Sequence, residues 1–323
     1  MAKIPTVKGY VDSSQLGITL MHEHICLNVP EKHRKRAMDY QVELTQKAVD
    51  VGINTIVDLG PYPNIAGIIE LSEKVPDISL ILSTGAYLEH VTPENIRNLS
   101  EDGMVEHIIK NLTDGYDGFE DTGIKAGIMK VSANTPNLTE WEKKNFRAVA
   151  RVHKMLKAPI ATHACAGAKA QMELLHENGV NINATFYSHV EAEFGWEGRS
   201  LEDEAKYLEE ITHAGGYLQF NNFDFEFDTP FHDMLYLINY FEANGYGDKI
   251  FISIDANWVF NDEGHIWHEA EKQHPETGKR TYAYTITHAV PMLMSSGVSL
   301  QRINKYLVDN PRRFFETPVE SVS

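Results

Sequence analysis

Six residues in this chain could together hold metal ions and move a proton: His22, His24, Lys130, His163, His189 and Asp255. Each stands at or next to the end of a short apolar run that reads as a buried strand. Histidine nitrogens and carboxylate oxygens suit zinc and similar divalent ions. Together the six supply enough nitrogen and oxygen for two such ions, with one carboxylate, Asp255, placed to handle a proton.

Each residue also has a plainer reading. His22 and His24 lie two apart on a strand, so both point to one face, and they could be hydrogen-bonded core histidines. A lone His-x-His says little about metal. It gains weight because His163 and His189 also end apolar runs. Lys130 ends Gly127-Ile-Met-Lys-Val-Ser132 and could be an exposed lysine just past the strand. If it faces the interior instead, burial beside cations favours its neutral amine. A neutral amine can add carbon dioxide, giving a carbamate with two oxygens to bridge two metals. Asp255 could be a helix N-cap or part of a loop salt bridge. As a ligand it could also accept a proton from a metal-acidified water.

The elements that must position these groups follow from the apolar pattern. Candidate strands cover 17–24, 53–59, 79–84, 124–131, 160–163, 183–189, 217–220 and 250–255. Several are continuously apolar, as in a parallel sheet buried on both faces. Amphipathic helices fill the gaps. Thr139 and Glu142 have capping-box spacing before Phe146, Val149 and Leu156. Ser200 and Asp203 repeat the spacing with a shorter acid. Gly179 and Gly215 stand where helix C-caps are expected. Eight strand–helix units without a break in composition predict one domain over 1–323, a (β/α)8 TIM barrel with its site at the C-terminal face. A doubly wound sheet explains less well why possible ligands end separate strands. The segments 87–123 and 256–280 read as long inserts after the third and eighth strands, where barrel loops shape substrate choice.

Composition narrows the partners. The 323 residues carry 29 basic and 46 acidic side chains, a net charge of −17. That argues against nucleic acid or an anionic membrane as the main partner and leaves a small-molecule substrate. No apolar run approaches a membrane span, and the N-terminus has no signal-peptide core, so a cytoplasmic location is expected. Cys26 and Cys165 do not form a disulfide framework and read as small packing residues.

The ordered set His22-x-His24, Lys130, His163, His189, Asp255 resembles the binuclear amidohydrolase superfamily, and more narrowly the phosphotriesterase-like family. Met21-His-Glu-His24, Thr162-His-Ala164, Ser188-His189, Ile254-Asp255 and Asn310-Pro-Arg-Arg-Phe-Phe315 support it. The resemblance implies that His22, His24 and Asp255 hold the more buried ion and His163 and His189 the more exposed one. Carbamylated Lys130 and a hydroxide would bridge them. It implies zinc, with manganese or cobalt also fitting, and a homodimer. The implied reaction is hydrolysis, in which Asp255 relays the hydroxide's proton to the leaving alkoxide.

Substrate choice must come from loops. Lys279, Arg280 and Tyr282, with Tyr87, would suit a phosphate or carboxylate, or could be a solvated basic turn. The same holds for Lys32-His-Arg-Lys-Arg36. Within the family, the polar segment after Asp255 looks more like the branch that opens phosphorylated sugar lactones than like acyl-homoserine lactonases. Phosphotriesters, carboxylesters or amides are the alternatives, and a barrel that only binds is a third class.

Overall fold

The computed structural model describes residues 2–193, 198–223, 229–260, 264–268 and 280–316. An antiparallel hairpin, β1 (Lys3–Thr6) and β2 (Gly9–Asp12), precedes the barrel. The barrel strands are β3 (Ile18–Glu23), β4 (Ile53–Asp58), β5 (Ser79–Gly85), β6 (Ala126–Ser132), β7 (Ile160–His163), β8 (Thr185–Ser188), β9 (Tyr217–Phe220) and β10 (Ile250–Ile252). They pair in parallel in chain order. Beyond β10 the chain closes the ring on β3. Asp255 N–H donates to His22 O (3.2 Å), and His24 N–H to Ala256 O (3.2 Å). Among the described residues, no helix is long and apolar enough to cross a membrane.

The eight expected strands are all present, and the (β/α)8 barrel is the fold. Its main helices are α1 (Arg34–Asp50), α2 (Ile65–Lys74), α3 (Glu94–Arg97), α4 (Glu101–Thr113), α5 (Glu140–Leu156), α6 (Ala168–Glu177), α7 (Leu201–His213) and α8 (Phe231–Ala243). α5 starts as expected: Thr139 Oγ1 accepts from Glu142 N–H (3.2 Å), and Glu142 Oε2 accepts from Thr139 N–H (2.7 Å). At α7 the shorter Asp203 does not reach back to the backbone. It takes the Ser200 hydroxyl (2.7 Å), while Ser200 Oγ caps Asp203 N–H (3.1 Å).

One expectation needs correction. The segment 87–123 is not a loop insert, because α4 is the barrel helix of that unit. Ser100 caps it, and Met104, Val105 and Ile108 bury one face. The segment 256–280 contains a small antiparallel hairpin, β11 (Trp258–Phe260) with β12 (Ile266–His268).

The strand interior is layered. Met21, Val57, Ile81, Ile128, Ala161, Phe186, Tyr217 and Phe251 form one apolar cluster inside the barrel, sealed by Phe314 from the C-terminal helix. Side chains two residues further along a strand return to the same face, one level nearer the C-terminal end. From Ile128, Ala161, Tyr217 and Phe251 that step reaches Lys130, His163, Gln219 and Ser253. Strand β3 departs from this step. Its pairing with β4 runs Leu20 to Ile56 and then Glu23 to Asp58, so it carries an extra residue. Such a bulge re-aims side chains. It lets His22 follow Met21 directly.

Candidate metal centre

The six predicted residues meet at the C-terminal end of the barrel. Asp255 is the hub: Oδ1 lies 3.0 Å from His24 Nε2 and 3.4 Å from His22 Nε2, and Oδ2 lies 3.8 Å from His189 Nε2. The rings of His163 and His189 are 4.6 Å apart between centroids, and those of His22 and His189 are 4.8 Å apart. Lys130 is buried beneath them at 1% exposure, and its Nζ has no hydrogen-bond partner. Ligand atoms of His22, His189 and Asp255 all lie within 4.8 Å of one another, and so do those of His163, Cys165 and His189.

Two residues that sequence reasoning missed set the orientation of these rings. Gln219 Oε1 lies 3.2 Å from His22 Nδ1, and Asn221 Oδ1 lies 2.9 Å from His189 Nδ1. Asn221 Nδ2 donates to Asn222 Oδ1 (3.2 Å), which keeps its oxygen toward the ring. Both oxygens only accept, so each Nδ1 carries the proton and each Nε2 presents a lone pair to the Asp255 carboxylate. Acceptor then faces acceptor in a buried space, an arrangement that a cation between them relieves. Such outer partners are what metal-binding histidines use to fix their tautomer. The signal was available: Gln219 and Asn221 sit at period two in an otherwise apolar strand end.

The electrostatics agree. Burial, and then the Lys130 charge, hold His22 well below the usual imidazole range. Burial and the neighbouring His189 do the same to His163. Burial brings His189 down to about 4, against the opposing pull of Asp255. All three are therefore neutral, the metal-binding form. Burial also pulls Lys130 down to about 8. Burial pushes Asp255 upward, but His22 and His24 outweigh it and keep the carboxyl well below its ordinary range. Burial lowers His24 too, but its hydrogen bond to Asp255 outweighs that and raises it, so a cation must displace a proton there, while the other donors fit divalent cations as they stand.

A frame of buried acids and amides holds the ligands. Glu23, between the two histidines, takes Ser253 Oγ–H (3.0 Å) and Ile254 N–H (3.0 Å) on Oε1, and Ala256 N–H (2.7 Å) on Oε2. This bends the chain around Asp255, whose φ of +53° is unusual for a side-chain-bearing residue. Glu191 does likewise beyond His189 (φ +63°), accepting from Asn221 N–H (2.6 Å) and Asn222 N–H (2.7 Å). Gly85 lies against Lys130, where a Cβ would sit 2.1 Å from the Lys130 carbonyl.

A cavity of about 980 Å³ opens over the centre. Tyr87 lines it, its ring edge-on to His163 at 5.1 Å, and Arg280 lines it while donating to Asn221 O (3.2 Å). Tyr282 requires correction as a substrate contact. It is 1% exposed, donates to His24 O (2.7 Å) and accepts from Gln41 Nε2 (2.7 Å), so it braces the site from behind. Lys279 lies outside the described residues. His268 is buried against Tyr40 Oη (2.7 Å).

The wall is also apolar in part, with Trp258, Val259 and Phe260 lining it. The basic cluster contributes two ways. Lys32 and His33 line the cavity, while Arg36 donates to Gly264 O (2.6 Å) and seats the β11–β12 hairpin.

Comparison with known proteins places this arrangement. A model of the phosphotriesterase family matches residues 2–315. A phosphotriesterase homology protein of Mycobacterium tuberculosis is 30% identical over 340 residues, covering 98% of both chains. The solved phosphotriesterase structure from that organism superposes with a TM-score of 0.80 at 27% identity, covering 98% of both. An aryldialkylphosphatase of Saccharolobus solfataricus is 26% identical over 97% of this chain and 99% of its own. A solved lactonase from Listeria monocytogenes shares the fold, with a TM-score of 0.76 at 23% identity over 97% and 99%. The chain belongs to the phosphotriesterase family and is a metal-dependent hydrolase of ester bonds.

Proposed function

We propose that this enzyme opens a lactone ring carrying a phosphate, most simply a phosphorylated sugar lactone. The observation that carries the reading is Arg280, a guanidinium in the wall of the same cavity as the six-residue cluster. Lys32 lines the wall too. Arg280, held by Asn221 O, and the exposed Lys32 in the wall of a cavity in a strongly acidic protein suit an anionic group at the far end of the substrate.

His22, His24 and Asp255 would hold one ion, and His163 and His189 the other, with carbamylated Lys130 joining them. The lysine nitrogen forms a bond to the carbon of carbon dioxide and releases a proton to solvent. Zinc fits the donors, as do manganese and cobalt. When bound, the pair supplies Lewis acidity toward a carbonyl and lowers the pKa of water. Asp255 is ionised, so it can take a proton and hand it to the leaving alkoxide. The Tyr87 ring, packed on His163, bounds the space for the lactone.

A second reading has its own observation. Trp258, Val259 and Phe260 would accept an apolar ester, lactone or phosphotriester group. A pH-indicator assay of metal-reconstituted protein on sugar-acid lactones with and without phosphate, beside acyl-homoserine lactones and aryl esters, separates the two. Turnover confined to phosphorylated lactones supports the first, and Arg280→Ala should then weaken only those substrates. Preference for apolar substrates, or equal losses in Arg280→Ala, sinks it.

A further inference from the structure

Cys26 and Cys165 hold matching places, each two residues after a histidine of the centre. The fold treats them differently. Cys26 Sγ lies 3.8 Å from the His24 carbonyl and accepts from Trp258 N–H (3.4 Å), so it packs against backbone. Cys165 Sγ lies 3.2 Å from His163 Nε2, on the ring nitrogen itself. Both cysteines line the cavity and are partly exposed, so the difference lies in what each sulfur meets.

A second observation points into the same space. His189 is 5% exposed, its Nδ1 is engaged by Asn221, and its Nε2 has no hydrogen-bond partner. The ligand atoms of His163, Cys165 and His189 all fall within 4.8 Å of one another. With zinc–nitrogen near 2.1 Å and zinc–sulfur near 2.3 Å, two ligands of one tetrahedral ion sit roughly 3.6 Å apart. The observed sulfur–nitrogen spacing needs only a small adjustment to share an ion.

We propose that Cys165, as a thiolate, is a further protein ligand of the ion held by His163 and His189. The inference rests on the reading above that these histidines hold an ion. On binding, the thiol's proton leaves to solvent and a sulfur–metal bond forms. The subsite becomes His2Cys plus the carbamate, whereas the His22–His24–Asp255 subsite offers nitrogen and oxygen only. Soft sulfur favours zinc or cadmium over manganese. The two subsites therefore differ in metal preference by a sulfur as well as by the Asp255 carboxylate.

Absorption spectroscopy of the cobalt-loaded full chain tests this. We expect a near-ultraviolet thiolate-to-cobalt charge-transfer band, lost in Cys165→Ser and kept in Cys26→Ser. Zinc-edge X-ray absorption of the unaltered protein should show a sulfur scatterer at about 2.3 Å, a readout that stands even if Cys165→Ser folds poorly. Two bound ions with neither band nor sulfur scatterer overturn the ligand role and leave the hydrolase reading intact. A band that survives in Cys165→Ser overturns it as well. A chain that takes up no cobalt or zinc overturns both.

Discussion

The lower and upper levels of the barrel interior come from the same strands two residues apart, yet they are packed on opposite terms. Below, Phe186, Tyr217, Phe251 and Phe314 interlock with ring centroids 4.9 to 5.6 Å apart, and all are nearly fully buried. Above, Lys130 Nζ and His189 Nε2 are buried without hydrogen-bond partners, and His189 and Asp255 adopt positive φ. Each such backbone outlier costs on the order of 1–3 kcal/mol. The lower level gains from aromatic burial and edge-to-face contact. The comparison teaches that one sheet can divide stability from chemistry along its strands. The apolar layer holds the frame while the polar layer is kept short of a partner that only a cation supplies.

The sharpest way to break this contrast is Lys130→Ala. It should lower metal content and cut turnover at least the roughly 100–1,000-fold seen when one electrostatic stabiliser is lost, with little loss of folding stability. Metal analysis and kcat together check it, and short carboxylic acids should partly restore the variant. Unchanged metal content and activity would falsify the bridging role. Phe314→Ala should show the reverse signature. Removing a buried Phe should cost about 3–5 kcal/mol in denaturant unfolding while metal stoichiometry holds. Metal loss without destabilisation would mean the layers are not separable.

The pH dependence of the metal-free protein sharpens it further. Lys130 titrates at about 8 when folded, against 10.5 as an ordinary lysine. The folded chain binds that proton more weakly, so its stability rises with pH between those values and is lowest below about 8. Lys130→Met should remove this rise, about 3 kcal/mol, in unfolding midpoints measured across the range. Parallel curves for the two proteins would place the lysine in a solvated setting. The smallest effect is expected from Gln219→Leu, which frees the His22 ring. Metal affinity should fall roughly 10–100-fold, read by chelator competition, with turnover at saturating metal largely kept. No change in affinity would remove Gln219 from the site.

Much of this was legible in the residues. Apolar runs with a polar terminus marked the strands and their C-terminal ends, because a strand buried on both faces leaves few other reasons for a histidine, lysine or aspartate there. The family resemblance added the order of the ligands. Loop contacts were less legible. Tyr282 looked like a hydroxyl for substrate because it neighbours Arg280 in sequence, but one residue sits behind the wall and the other in it. Only the fold shows that Trp258, Val259 and Phe260 line the cavity, because they form one short strand of a segment whose sequence is mostly polar.

By itself the sequence determined the barrel and the six-residue constellation, because strand periodicity and donor chemistry are local properties, and the family resemblance that those residues carry implied the hydrolytic class. Tertiary structure alone decided which nitrogen of His22 and of His189 faces the centre. That choice depends on Gln219 and Asn221, some 30 to 200 residues distant in the chain. It also decided that Glu23 and Glu191 brace the two strained ligands, and that Cys165 meets a ring nitrogen while Cys26 meets backbone. Spacing alone could not distinguish those cysteines, because only the closure of the barrel sets what lies opposite each one.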